Sequence, residues 1–281
     1  MIATRFAPSP TGLLHLGHAL AAFIAYDAAK GGRFVLRIED IDQARSRKEF
    51  EEAIFEDLRW LGLNWEEPVR RQSRHFEDYG RALEKLNVMG VLYPCFCTRK
   101  DIAEAVQAPH GREGLLYPGT CRALPAEARR KRMEAEPYAL RIDVAKATAR
   151  VGNELSFEET GQGPSGESGV QSARPELLGD VVLARKDMPA SYHLAVVVDD
   201  ALQRITLVTR GNDLFPATHV QRLLQALLGL PAPAYLHHRL VLDEHGKKFS
   251  KRDNSVTLRH LRESSITPQD IRDRLGLALR R

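Results

Sequence analysis

No run in this chain approaches the stretch of about 18 consecutive apolar residues that a membrane-spanning helix needs, so a bilayer span is excluded. Internal repeats are absent, which sets solenoids and propellers aside. Cysteine is scarce: three residues in 281, an odd number that cannot all pair. Cys95 and Cys97 lie too close for an easy mutual disulfide, so a disulfide framework is ruled out. In a reducing compartment clustered thiols point to a metal instead. Large charge imbalance is also missing. The chain has 41 basic against 37 acidic residues, net +4, a balance that permits contact with a polyanion without demanding it. The first residues, Met1-Ile2-Ala3-Thr4-Arg5-Phe6, enter patterned sequence at once and leave no room for a signal peptide; a cytoplasmic location is the expectation.

What is present suffices for a core: 43% of the residues are hydrophobic, enough for one large domain or a domain carrying an insertion. Residues 3–7 read as a short strand stopped by Pro8, and residues 16–30 as a helix closed by Gly31-Gly32. The apolar run Phe34-Val35-Leu36-Arg37-Ile38 reads as a strand covered on both faces. Ser46-Arg47-Lys48-Glu49 has the form of a capping box, opening a helix with Phe50, Ile54, Leu58 and Leu61 on one face. A further helix is expected over 74–88. β-α-β-α order implies a parallel sheet with right-handed crossovers. Strands are then expected at 179–185, 194–198, 204–209 and 236–242, with a helix from Phe215 to Leu228 and another starting at Thr267-Pro268-Gln269-Asp270. The glycine-rich stretch 161–169 reads as a surface loop; with no convincing strand before it and no helix after it, it is not taken for a phosphate cradle.

Two short stretches at opposite ends carry the chemistry. Arg5-Phe6-Ala7-Pro8-Ser9-Pro10-Thr11-Gly12 is followed by His15-Leu16-Gly17-His18, where an Ala-rich helix begins. Lys247-Lys248-Phe249-Ser250-Lys251-Arg252 packs four cations and a hydroxyl into six residues beside Gly246. A helix N-terminus suits a nucleotide phosphate, and a cationic loop can close on the same group. The bland alternative is a pair of capping or surface histidines and a solvated basic loop. In the middle of the chain Cys95-Phe96-Cys97 and Tyr117-Pro118-Gly119-Thr120-Cys121 gather three thiols and a phenol. Three thiolates favour tetrahedral zinc and leave a fourth place for Tyr117, His110 or water; buried, unligated cysteines are the alternative. Basic residues cluster at Arg129-Arg130-Lys131-Arg132 and Arg122, with Arg70, Arg71 and Arg259 elsewhere. They read either as a solvated face or as a contact for a phosphate backbone.

Taken together and in this order, the two end stretches resemble the signature motifs of class I aminoacyl-tRNA synthetases. With Arg37-Ile38-Glu39-Asp40-Ile41-Asp42 they narrow the likeness to the glutamate- and glutamine-type branch, from about residue 3 to residue 256. Phe249 stands where that family usually has Met or Leu. The resemblance implies a Rossmann-like, doubly wound parallel α/β sheet in two halves, 1–90 and 176–256, split by a smaller zinc-containing insertion at 91–175 and followed by a short helical segment at 257–281. It implies ATP, with Mg²⁺, bound by His15, Gly17, His18, Lys248, Ser250 and Lys251, of which His15, His18, Lys248 and Lys251 serve catalysis. It places Arg5, Ala7, Ser9, Glu39, Tyr192 and Arg210 around L-glutamate: two forked cations for carboxylates, an anion for the ammonium and a hydroxyl for either. Asp42, Asp199, Asp200 and Asp213 can order these groups or a magnesium ion. About 29 residues follow Arg252, too few for a large anticodon-binding region, and this likens the chain to the glutamyl-queuosine group of the branch. On that likeness the partner is tRNA(Asp) carrying queuosine, the zinc ligands are Cys95, Cys97, Cys121 and Tyr117, one structural Zn²⁺ is held per chain, and a monomer is expected.

Overall fold

In the computed structural model, residues 1–98, 101, 116–152, 154–241 and 256–277 are described. Strand β1, Ala3–Phe6, lies parallel to β2, Arg33–Ile38, with Arg5 opposite Val35. Helix α1, Leu16–Ala28, is the crossover between them. Its exit is tight: a Cβ on Gly32 would sit 2.1 Å from the carbonyl oxygen of Ile2, so only glycine fits. Helix α2, Lys48–Trp60, then leads to β3, Glu66–Arg71, which pairs in parallel with β2. Sequence patterning misses β3 because Glu66-Glu67-Pro68-Val69-Arg70-Arg71 is polar and contains proline, a composition tolerated at a sheet edge.

The second half of the sheet is built from β9, Leu207–Gly211, and β10, Ala234–His238, which pair in parallel over five residues. β9 stands beside β1. The Thr206 N–H donates to the Ala3 carbonyl at 2.9 Å, and the Ala3 N–H donates to the Thr206 hydroxyl at 2.9 Å. The hairpin of β6, Ser156–Glu159, and β7, Gly169–Ser172, extends this half beyond β10. A strand therefore does lead into the glycine-rich loop, but a hairpin strand follows it, not a helix. A separate antiparallel sheet joins β4, Leu92–Cys95, with β5, Ala139–Ile142, and β8, Val182–Arg185. Thus β6 and β7, from within residues 91–175, pair with the parallel sheet, whereas β8, from beyond them, pairs with the antiparallel one. Helices α4, Ala126–Ala135, and α5, Val144–Val151, flank β5 in the chain, and Val144 and Ala147 of α5 are buried.

Alternation along the strands decides what each face meets. Phe34, Leu36 and Ile38 of β2 and Phe6 of β1 join α1, α2 and the C-terminal helices α8, Leu258–Glu263, and α9, Pro268–Arg274, in one core. Thr4 points the same way, its hydroxyl donating to the Ala25 carbonyl at 2.7 Å. The intervening Arg5 and Arg37 point to the opposite face, toward helix α6, Tyr192–Leu202. That helix packs with α3, Phe76–Val88, and α7, Phe215–Leu228, in a second core. Helix α6 overturns the expected strand at 194–198. Leu194 through Asp200 are all buried, so no polar face marks the helical period, and a β-branched run reads as a strand.

The expected capping box at Ser46 is also absent. Arg47 is the N-cap of α2 with no side-chain bond, and the Ser46 hydroxyl donates to the Asp42 carbonyl at 2.9 Å. The helix expected from Thr267 does form, and Thr267 and Asp270 cap it reciprocally at the start of α9. Among the described residues no helix is long and apolar enough to cross a membrane.

Candidate active site

At the start of α1 two imidazoles cap one another's backbone. His15 is the N-cap; its Nδ1 accepts the Gly17 N–H at 3.1 Å, while its own N–H donates to Nδ1 of His18 at 3.2 Å. The ring centroids are 3.9 Å apart. With both Nδ1 lone pairs accepting, each neutral ring carries its proton on Nε2, which makes two N–H donors at a helix N-terminus without requiring positive charge. The capping histidines of the bland alternative are therefore real, and capping is what fixes the tautomer. The nearest obstacle to a Cβ on Gly17 is the His15 ring, 3.0 Å away at Cε1.

These residues open into a cavity of about 480 Å³ lined also by Arg5, Ala7, Ser9, Glu39, Tyr192 and Arg210. Nine residues singled out in the sequence thus meet in one place. They come from the start of α1, the carboxyl ends of β1, β2 and β9 and the first residue of α6, at the seam where strand order runs β2-β1 one way and β9-β10 the other. Ligands of doubly wound sheets bind at such a switch point.

Behind the cavity wall lies a buried charge cluster. One oxygen of Asp200 receives Nε of Arg5 at 3.1 Å and Nη2 of Arg37 at 2.8 Å. Burial alone would raise the Asp200 carboxyl, but these two guanidinium groups more than offset it and hold it below the usual range. Asp199 receives Arg70 at 2.7 Å, Gln72 at 2.8 Å and the Tyr79 hydroxyl at 2.9 Å. Arg5 also donates Nη1–H to the Thr209 carbonyl at 3.0 Å, and its remaining guanidinium N–H groups have no partner among the described residues. Glu39, held by its N–H to the Pro8 carbonyl at 3.0 Å, has a carboxylate 3.7 Å from Arg37. Desolvation outweighs Arg37 and Arg5, Asp200 and Asp199 add repulsion, and the carboxyl is pushed up to about 7. Arg210 donates to Nε2 of His237 at 3.2 Å, Gln221 at 2.7 Å and, at a longer 3.4 Å, the Tyr192 hydroxyl.

Of the four aspartates considered for ordering or magnesium, only Asp213 lines this cavity. Asp42 pairs with Arg45 at 2.5 Å. Asp40 holds Ser73, accepting its N–H at 2.8 Å. Sequence reasoning missed Thr209 and His238, which line the cavity and carry buried Oγ1 and Nε2 atoms without hydrogen bonds among the described residues. A threonine inside an apolar strand and one of two adjacent histidines gave no signal of this. Lys248, Ser250 and Lys251 lie outside the described residues, as does His110. The described residues on either side of 242–255 nonetheless reach the site. Val241 lines the cavity, Thr257 bridges His15, and the Leu258 N–H donates to the Leu14 carbonyl at 2.8 Å.

Away from the cavity, Cys95, Cys97 and Cys121 bring their sulfurs within 4.8 Å of one another. Cys97 and Cys121 Sγ are 3.5 Å apart, and the Tyr117 hydroxyl lies 3.7 Å from Cys97 Sγ while accepting the Cys121 N–H at 2.8 Å. Thiolates about 2.3 Å from a tetrahedral ion sit roughly 3.8 Å apart, so the three sulfurs fit one metal. Most of the basic residues considered for a polyanion have internal partners: Arg70 and Arg71 bind Asp199 and Glu51, and Arg122 binds Asp180 at 2.9 Å. Helix α4, with Arg129 to Arg132, buries none of its residues.

Residues 1–278 match the model of the family "tRNA synthetases class I (E and Q), catalytic domain". The chain belongs to that family. It is 48% identical to the Glutamyl-Q tRNA(Asp) synthetase of Rhodobacter capsulatus, covering 98% of this chain and 99% of that one. It is 43% identical to the protein of the same name from Symbiobacterium thermophilum, covering 96% and 84%. Among solved structures, the glutamate-tRNA synthetase of Elizabethkingia anophelis superposes with a TM-score of 0.73 at 32% identity, over 90% of this chain. This chain spans about half of that one, 53%. The α/β core with its parallel sheet is thus the class I synthetase fold.

Proposed function

We propose that this ligase activates L-glutamate with ATP and transfers it to the queuosine base in the anticodon of tRNA(Asp). The observation that carries the reading is the shared cavity. Two buried arginines and one carboxylate stand beside the reciprocally capped histidines, on a chain whose near full-length relatives bear that name.

Arg5 and Arg210 hold the substrate's carboxylates and Glu39 its ammonium, with Ala7, Ser9 and Tyr192 shaping the space. One carboxylate oxygen attacks the α-phosphorus of ATP; the bond to pyrophosphate breaks and glutamyl-adenylate forms. The Nε2–H groups of His15 and His18 donate to phosphate oxygens as charge accumulates, joined by Lys248, Ser250 and Lys251. A preorganised donor of this kind is worth about 3–4 kcal/mol. An acceptor hydroxyl then attacks the acyl carbon and AMP leaves. Mg²⁺ accompanies ATP and neutralises its phosphates. Zinc on Cys95, Cys97, Cys121 and Tyr117 is structural, since none of the four lines the cavity. The exposed cations of α4 offer a contact to the tRNA backbone that carries no base reading.

The function is tested by glutamate-dependent ATP–pyrophosphate exchange without tRNA, followed by transfer to tRNA(Asp) with and without queuosine. Exchange and queuosine-dependent transfer are expected; exchange with transfer only to tRNA(Glu) would reassign the acceptor, and no exchange would refute the activity. Metal analysis should return about one zinc per chain, reduced in Cys97→Ser; well-folded, metal-free protein contradicts the metal assignment. The pH dependence follows from Glu39, which must be ionised to hold an ammonium. With the free carboxyl near 7, it is mostly protonated below that pH. The apparent KM for glutamate should therefore fall as pH rises from about 6 to about 8, and Glu39→Gln should raise KM and flatten the slope. A wild-type KM constant over that range removes Glu39 from the role.

A further inference from the structure

Behind Arg210, a carboxylate and an imidazole are buried that the chemistry above does not use. Glu159, at the end of β6, and His237, in β10, have fully buried side chains. Oε1 of Glu159 accepts two backbone N–H groups, from His237 at 3.0 Å and Gly161 at 2.8 Å, while Oε2 meets Nδ1 of His237 at 2.5 Å. An ionised carboxylate only accepts, so the proton of that contact belongs to Nδ1 and Nε2 keeps its lone pair. That lone pair faces two groups, Nε–H of Arg210 at 3.2 Å and the Thr218 hydroxyl at 3.2 Å. Desolvation and Arg210 hold the imidazole below its ordinary pKa against the opposing pull of Glu159, which keeps it neutral.

The rest of the guanidinium is clamped from α7: Nη1 donates to Gln221 at 2.7 Å and Nη2 to the Thr218 hydroxyl. Nη1 also faces the Tyr192 hydroxyl at the cavity wall. The contrast with Arg37 is informative. Arg37 meets the Asp200 carboxylate directly at 2.8 Å, so its charge is balanced in place. Arg210 meets a neutral ring, and the nearest balancing carboxylate in this chain of contacts stands beyond it. Coulomb attraction falls with distance, so Arg210 keeps more of its charge for an incoming anion.

We propose that Glu159 and His237 are positioning residues for substrate recognition: Glu159 fixes the tautomer of His237, and His237 fixes the rotation of Arg210 without neutralising it. This rests on the reading that Arg210 takes a substrate carboxylate.

Glu159→Gln is the sharp test because it keeps size and removes only the charge. Two backbone N–H groups hold the amide oxygen at the Oε1 position, so its NH₂ turns toward Nδ1. The tautomer reverses, and Nε2–H then confronts Nε–H of Arg210. The expected result in pyrophosphate exchange is a glutamate KM raised about ten-fold or more, with kcat and the ATP KM within about two-fold. Ring ¹⁵N NMR of His237 should move from the Nδ1–H form to the Nε2–H form. His237→Gln, which retains an acceptor, should recover part of the KM lost in His237→Leu. A reversed tautomer with unchanged KM overturns the relay, as does an Nε2–H ring in the native protein. Arg210→Ala separates the two readings. If it raises KM while Glu159→Gln does not, the relay alone fails; if it leaves KM unchanged, the assignment of Arg210 fails and the relay with it.

Discussion

A single carboxylate oxygen, Oδ1 of Asp200, joins the two halves of the sheet to the site above them. Arg5 leaves β1 and Arg37 leaves β2 on the same face, and both end on that oxygen. Arg5 then crosses to the Thr209 carbonyl of β9. Two permanent cations would be intolerable in this core without an anion, and a lone buried carboxylate equally so. Asp199, next in the helix, binds Arg70 and the Tyr79 hydroxyl and so ties β3 and α3 to the same point. Charge balance, not apolar packing alone, sets where the strands of the two halves stand.

The cavity inherits its chemistry from this arrangement. Because Asp200 fixes Arg5 from behind, the remaining donors of Arg5 belong to the cavity. Because burial desolvates Glu39 by more than Arg37 and Arg5 offset, with Asp200 and Asp199 adding repulsion, that carboxyl titrates near neutrality and responds to an arriving cation. On the other wall, α1 delivers two imidazole donors whose tautomers are set by their own helix cap. On the proposed function, a substrate bearing carboxylates, an ammonium and phosphates would meet groups whose orientation is fixed before binding, which is where electrostatic catalysis gains most.

Much of this was legible in the sequence. His15, Gly17, His18, Arg5, Glu39 and Arg210 are residue types whose chemistry is local and whose spacing repeats a known pattern, and all six line the cavity. Phe34–Ile38 followed from an apolar run, and the strand expected at 204–209 overlaps the first three residues of β9. What escaped was set by tertiary context. β3 is polar because it is an edge, and Leu194–Val198 is a helix because it is buried all round. Ser46 lost its cap because the Asp42 carbonyl took the hydroxyl. Asp200 was one of four aspartates with nothing to distinguish it, since its value comes from two arginines 163 and 195 residues away in the chain. His237 and Glu159, 78 residues apart, were invisible for the same reason.

The central claim is that Asp200, which lines no part of the cavity, governs both the seam and the pocket. The most direct measurement is paired: urea unfolding and glutamate titration of pyrophosphate exchange for Asp200→Asn. The account predicts a loss of about 3–5 kcal/mol in unfolding free energy, because buried Arg5 loses its carboxylate partner and buried Arg37 its closest one, together with a raised glutamate KM and an unchanged ATP KM. An unfolding midpoint and a glutamate KM both equal to those of the native protein would contradict it.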